Sequence, residues 1–219
     1  MKILFQGDSV TDCDRSRSEK EPNVHLGEGY VGLITSRLCF ESTDFKIYNR
    51  GVSGNRICDI YSRWIEDTLN IDFDVLSILC GINDVGFSLR LNKGADSEKF
   101  KFVYDRMLYE VKEKNPDAKL VLMEPFLLKT EYYHPDYGND IFENWDKWSF
   151  EIQKRAEAVK ELSDKYNAIF VPLYDDFQKL SEKSGSKHFS IDCVHPTHAG
   201  HEFIARKWLE CCSDILKVR

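Results

Sequence analysis

The sequence predicts an α/β protein built on a five-stranded parallel sheet with helices on both faces. Three observations carry that prediction. Short apolar runs alternate with stretches of helical periodicity along the whole chain, the βαβ pattern a parallel sheet requires. One run, Val75-Leu76-Ser77-Ile78-Leu79, has apolar residues on both faces, as a central parallel strand does. Residues of catalytic or turn-forming type, Ser9, Gly54 and Asn83, follow such runs, and Asp192 with His195 falls in a late loop; sheets of this kind bind ligands beyond the carboxyl ends of their strands.

Lys2-Ile3-Leu4-Phe5-Gln6 is a β-forming run stopped by Gly7, and Asp8-Ser9-Val10-Thr11-Asp12 reads as a helix start, which places Ser9 at the mouth of the sheet. After a polar loop over residues 14–28, Tyr30, Leu33, Ile34 and Leu38 recur at helical spacing and make 29–39 a crossover helix. A second strand, 45–48, runs into Asn49-Arg50-Gly51-Val52-Ser53-Gly54-Asn55, too rich in glycine to stay extended, before a helix over 57–69. Strand three, 75–79, stops at Cys80-Gly81-Ile82-Asn83-Asp84, read as a turn. Phe100, Val103, Tyr104, Met107, Leu108 and Val111 form the stripe of the clearest helix, 97–114, which Asn115-Pro116 ends. Strand four, 119–123, leaves through Glu124-Pro125-Phe126.

Residues 127–148 are long and irregular, with Tyr132, Tyr133, His134, Tyr137, Trp145 and Trp148; they read equally as the wall of a substrate site or as a satellite core beneath a loop. A helix over 150–166, strand five over 168–172, a short helix over 175–183, a loop over 188–196 and a last helix over 197–216 complete the chain. No repeat, low-complexity tract or linker divides it, so residues 1–219 are expected to form a single domain.

Composition narrows the function classes. A formal charge of -7 without a run of Lys or Arg argues against a nucleic-acid partner. No window approaches the ~18 apolar residues of a membrane span and no secretory signal opens the chain, so no membrane partner and a cytoplasmic location are expected. Cys13, Cys39, Cys58, Cys80, Cys193, Cys211 and Cys212 form no CxxC pair and read as free thiols.

A serine hydroxyl becomes a nucleophile only when a base takes its proton and fixed donors receive the charge pushed onto a carbonyl oxygen. The helix start beside Ser9 offers free N–H groups, although Gly-Asp-Ser after a strand, taken alone, is more often a capped turn than a nucleophile. Asp192-Cys193-Val194-His195-Pro196 can fold so that a carboxylate orients an imidazole; alone, it also reads as a helix cap beside an incidental histidine. The Asn83 amide and the Gly54 N–H suit an oxyanion, or are turn residues. Taken together they supply the parts of acyl transfer. A metal held by His195, His198 and His201 fits poorly, since the three fan around a helix start, and Cys193 or Cys80 as nucleophile lacks a basic neighbour.

Gly7-Asp8-Ser9, Gly51-Val52-Ser53-Gly54, Gly81-Ile82-Asn83-Asp84 and Asp192-Cys193-Val194-His195 resemble, in order and spacing, the four signature blocks of the SGNH (GDSL-type) hydrolases. The resemblance spans residues 7–201 and includes Leu122-Met123-Glu124-Pro125-Phe126 and the run from Val194 to His201. It implies a flavodoxin-like three-layer α/β/α sandwich and a serine esterase that uses no metal and no cofactor. It also implies Ser9 as nucleophile, His195 as base, Asp192 as its orienting partner, and an oxyanion hole from Ser9 N–H, Gly54 N–H and the Asn83 side chain. Cys193 departs from the glycine that close relatives often carry, which puts the geometry of the Asp192–His195 turn in question.

The expected substrate is a small-molecule ester, a short acyl and above all acetyl ester of a carbohydrate or other small polar alcohol, because no long apolar segment forms a lid and the aromatic segment suits a sugar. The alternatives are a lipase or thioesterase acting on longer chains and, in a different class, a non-catalytic flavodoxin-like ligand-binding protein. The last is disfavoured by the lack of a glycine-rich phosphate loop.

Overall fold

The computed structural model describes residues 1–18, 21–130 and 140–217. Strands β1 (Lys2–Gly7), β2 (Lys46–Asn49), β3 (Val75–Leu79), β4 (Lys119–Met123) and β5 (Ile169–Val171) are all parallel and lie in the order β2-β1-β3-β4-β5. The order reverses between β1 and β3, the switch point at which a doubly wound sheet opens a crevice. Gly7 pairs with Leu79 across it, so the chain leaves β1 toward Ser9 and β3 toward Gly81 side by side.

The helices are α1 (Ser9–Asp12), α2 (Tyr30–Glu41), α3 (Ile57–Ser62), α4 (Ile82–Leu91), α5 (Ser97–Lys114), α6 (Asp140–Glu143), α7 (Trp145–Lys165), α8 (Tyr174–Ser184) and α9 (His198–Cys211). Side chains alternate across each strand, and this sorts the core into two layers. Ile3, Phe5, Val75 and Leu79 pack with Tyr30 and Ile34 of α2 and Ile204 and Trp208 of α9. Leu4, Leu76 and Ile78 pack with Ile57 and Ile60 of α3, Phe100 and Leu108 of α5, and Val159 of α7. The result is the three-layer α/β/α sandwich. Every residue of β3 is buried, including Ser77, whose Oγ accepts from Trp208 Nε1 at 2.9 Å.

The helix expected over 97–114 occupies those residues, capped by Asp96, whose carboxylate accepts from Lys99 N at 2.7 Å, with Lys112 and Lys114 in its last turn. Elsewhere the structure differs from expectation for local reasons. The helix over 57–69 divides into α3 and a π turn at Ile65–Leu69, in which the buried Gln6 amide donates to Asp67 O and Thr68 Oγ1, each at 2.7 Å. Residues 82–84, read as part of a turn, instead open the helix α4, whose buried Ile82 and Val85 lie in a stretch interrupted by Gly86 and Ser88. Helix α7 begins at Trp145 rather than near 150, and α9 ends at Cys211 rather than near 216.

Of the aromatic segment, Tyr132, Tyr133, His134 and Tyr137 lie outside the described residues. Trp148 is fully buried, with Nε1 donating to Asp140 Oδ2 at 2.8 Å, so it belongs to the core reading. All seven cysteines are unpaired. No helix among the described residues is long and apolar enough to cross a membrane.

Candidate active site

Gly7 ends β1 because nothing larger fits: a Cβ there would stand 2.2 Å from Thr11 Oγ1 and 2.4 Å from Leu79 O. The chain then turns directly into α1. Asp8 caps it, Oδ1 accepting from Val10 N at 3.1 Å, and Ser9 is its first residue. Burial pushes the Asp8 carboxyl up to about 6, against the Val10 hydrogen bond and the nearby His195.

Ser9 Oγ lies 2.8 Å from His195 Nε2, and His195 Nδ1 lies 2.8 Å from Asp192 Oδ2. One residue builds the turn and holds the ring: Asp192 Oδ1 accepts from Val194 N at 3.1 Å and His195 N at 2.8 Å, while Oδ2 takes the imidazole. With Nδ1 donating to a carboxylate, Nε2 is the nitrogen that accepts the serine proton. Asp192 is buried, whereas the His195 side chain is one-third exposed, at 33%. The ring thus faces solvent beside the nucleophile.

Cys193, in the middle of this turn, has φ +73°, a left-handed conformation that favours glycine. A side chain is accommodated because its Sγ donates to Thr130 O at 3.1 Å and accepts from Thr130 N at 3.3 Å, while Leu128 N donates to Cys193 O at 3.0 Å. The departure from glycine leaves the Asp192 to His195 contacts intact.

Gly54, also left-handed at φ +80°, sits in the loop between β2 and α3, where a Cβ would meet nothing within 4 Å. Conformation, not crowding, calls for glycine there. Neither the Gly54 N–H nor that of Ser9 has an acceptor among the described residues. The loop is pinned to both strands of the switch point. Val52 N donates to Gly7 O at 3.0 Å, Ser53 N to Asp12 Oδ2 at 2.8 Å, and Gly51 N to Asn49 Oδ1 at 2.9 Å. From the β3 side, Asn83 Nδ2 donates to Asn55 O at 3.1 Å, and Asp84 Oδ2 accepts from Ile57 N at 3.0 Å.

The sequence reading missed Asp12, Asn49 and Asp84, which hold this loop. Their bonds join side chains to backbone across long sequence separations and leave no periodic trace; only the place of Asp84 beside Asn83 hinted at a role. Asp84 is fully buried, its Oδ1 has no partner, and burial pushes its carboxyl up to about 7.

His201 is engaged elsewhere. Its Nδ1 accepts from Tyr30 N at 3.2 Å and its Nε2 faces Cys13 Sγ at 3.6 Å, so it caps α2, whose N-cap Gly29 has no side chain to do so. Burial lowers this imidazole to about 4. Among the described residues no three His, Cys, Asp or Glu side chains are grouped to hold a metal. Cys80 and Cys193 are buried and their thiols pushed up by that burial, which makes them poor nucleophiles.

Between the ends of β1, β3 and β4 lies a cleft of about 10 Å³, lined by Asp8, Val10, Ile82, Phe126 and Val194 over Leu79 and Cys80. Val10, Ile82 and Val194 adjoin Ser9, Asn83 and His195 in the chain. It is the size of about one water molecule, and Ser9, Gly54, Asn83 and His195 are not among its lining.

Comparison with known proteins places the chain in a family. The model of the GDSL-like lipase/acylhydrolase family matches residues 5–203. An acetylxylan esterase of Geobacillus stearothermophilus is 32% identical over 213 residues, 95% of this chain and 92% of that protein. Among solved structures, a protein of Parabacteroides merdae described as a GDSL-like lipase superposes with a TM-score of 0.88 at 34% identity, covering 99% of this chain and 96% of that one. A catalytic mutant of Axe2, an acetylxylan esterase from Geobacillus stearothermophilus, gives 0.84 at 27% identity, with coverages of 100% and 94%. The residue replaced in it is an aspartate; two further catalytic mutants of Axe2 replace a serine and a histidine, the histidine three positions after the aspartate, the spacing of Asp192 and His195.

Proposed function

Because the chain belongs to the GDSL-like lipase/acylhydrolase family and is an ester-hydrolysing enzyme, we propose that it removes short acyl groups, chiefly acetyl, from a carbohydrate or similar small polar alcohol through an acyl-enzyme. The observation that carries this reading is the continuous hydrogen-bonded series from Ser9 Oγ through the His195 ring to Asp192. Ser9 Oγ attacks the ester carbonyl as its proton passes to His195 Nε2, and Asp192 stabilises the imidazolium. The N–H groups of Ser9 and Gly54 and the Asn83 amide receive the negative charge on the carbonyl oxygen. Collapse of this intermediate expels the alcohol, which takes the proton from His195. Water then attacks the acyl-serine with His195 again as base, and the carboxylic acid leaves.

The acetylxylan esterase relative favours an acetyl group on a sugar. Residues 1–219 act as a single domain without a cofactor, and the seven free thiols suit a reducing compartment such as the cytoplasm. The test is labelling with a fluorophosphonate, expected in the wild type and absent in Ser9→Ala. It is paired with hydrolysis of nitrophenyl acetate, butyrate and octanoate and acetate release from acetylated xylo-oligosaccharides. Failure of folded wild type to label would reject the nucleophile; a preference for octanoate would reject the short acyl group in favour of a lipase or thioesterase.

A further inference from the structure

The sequence has no run of basic residues, yet the fold gathers four arginines at the carboxyl end of β2. Arg15 Nε donates to Gly51 O at 2.7 Å, Arg17 Nη1 to the same oxygen at 3.4 Å, and Arg63 Nη1 to Arg50 O at 2.9 Å. Three guanidinium groups therefore converge on two consecutive carbonyls, one of which belongs to the fourth arginine. The carboxylates among them are Asp12, bound by Arg17, and Asp67, 2.9 Å from Arg63 Nη1, with Asp14 acting on Arg17. Positive charge exceeds negative charge here in a protein whose net charge is -7.

One of these groups has no acceptor among the described residues, and another keeps one spare nitrogen. The Arg50 guanidinium donates to nothing among the described residues, and its Nε is buried; Arg63 Nη2 is likewise buried without a partner. Buried donors of this kind are rare in folded proteins unless a ligand or water meets them. The mutual repulsion is visible at Arg15, held down to about 10 by burial and then by Arg17 and Arg50. Guanidinium forks match the planar or tetrahedral oxygens of carboxylate and phosphate.

Position says which part of a substrate would reach them. Arg63 Nε also donates to Asn55 Oδ1 at 2.8 Å, so the cluster flanks the Gly51–Asn55 loop that presents Gly54. The arginines gather at the carboxyl end of β2, the neighbour of β1, from which the chain leaves toward Ser9. On the proposed reading the acyl part is only a short group such as acetyl, so a charged substrate group beside this loop belongs to the alcohol. We propose that Arg50 and Arg63, supported by Arg15 and Arg17, form a subsite for an oxyanion, a carboxylate or phosphate group, carried on the alcohol part of the substrate.

The assignment to the alcohol rests on Ser9 being the nucleophile; anion binding does not, and the two are tested apart. In Ser9→Ala protein at fixed ionic strength, calorimetric titration with inorganic phosphate against a chloride control is expected to show saturable binding. Adding Arg50→Ala should weaken it ~10-fold or more, the scale of a lost charge-assisted hydrogen bond, and Arg50→Lys should weaken it less. In active protein, kcat/KM for an acetylated glucuronic acid relative to acetylated glucose should exceed one and fall ~10-fold in Arg50→Ala. No binding of phosphate beyond chloride overturns the subsite. Phosphate binding with a substrate ratio that Arg50→Ala and Arg50→Lys leave unmoved overturns its assignment to the alcohol group.

Discussion

Asn83 and Asp84 are neighbours in the chain that reach the Gly54 loop at two points, Asn55 O and Ile57 N. If Asn83 also receives the oxyanion, Asn83→Ala should lower kcat on nitrophenyl acetate by on the order of 10²–10³ with KM little changed; a near-wild-type kcat would remove it from the site. For Asp84 the physics is of charge burial. Its carboxyl lies at about 7 instead of 3.8, so the folded chain holds that proton more tightly than the unfolded chain does. This contribution to stability is fully present below pH ~4 and is lost as pH rises through 7. Asp84→Asn keeps an acceptor for Ile57 N and cannot ionise. Across about three pH units the stability of wild type relative to this variant should therefore fall by about 4 kcal/mol between pH 4 and 8, read from denaturant unfolding; a constant difference would mean that the carboxyl stays charged. At this scale the sequence was legible where chemistry dictates residue type, at Ser9, Asp192 and His195, which the fold brings within 2.8 Å contacts. It was not legible where a residue type admits several uses, as with Cys193, whose thiol turns out to bridge Thr130.

Among the elements, α5 could be read to its ends because its apolar stripe is unbroken and its cap and stop residues are in place. Helix α4 could not, since Gly86 and Ser88 interrupt a ten-residue helix whose buried face is confined to its first half. Nor could the π turn at Ile65–Leu69, where Asp67 and Thr68 meet the amide of Gln6 on β1, far away in the chain. Helix α2 shows the same dependence on a distant group, for His201 of α9 supplies the cap that Gly29 lacks. The imidazole accepts from Tyr30 N only while it is neutral, and its value is lowered to about 4 from 6.5. The sign is opposite to that of Asp84: stabilisation is present above pH ~6.5 and is lost as pH falls through 4. His201→Ala should cost ~2 kcal/mol or more at pH 7 from the lost cap and the cavity. That deficit should narrow by about 3 kcal/mol as the pH falls from 6.5 to 4, and thermal unfolding of both proteins across the range checks it. A deficit independent of pH would show that its buried site does not hold this imidazole neutral.

For the molecule as a whole, the sheet's composition was readable because parallel strands covered on both faces are apolar throughout, but its order and the arginine cluster were not, since both depend on which segments become neighbours. Ser77 illustrates the limit: within an apolar run it reads as tolerated, whereas it is the polar end of a contact with Trp208, 131 residues away. That contact joins the central strand to α9, the helix that follows His195, and Trp208 also packs on Phe5 with ring centroids 5.3 Å apart. Trp208→Phe retains an aromatic ring there and removes the N–H, leaving the Ser77 hydroxyl buried without this donor. The expected cost is ~1–3 kcal/mol, seen as a lower denaturant midpoint with an unchanged slope. Because His195 is held by its own turn through Asp192 and Ile191 N, which donates to His195 O at 2.8 Å, kcat on nitrophenyl acetate at 25 °C should stay at the wild-type value. If kcat falls together with the midpoint, the seating of α9 on the sheet helps to set the His195 ring, and the turn is not the self-contained support that its hydrogen bonds describe.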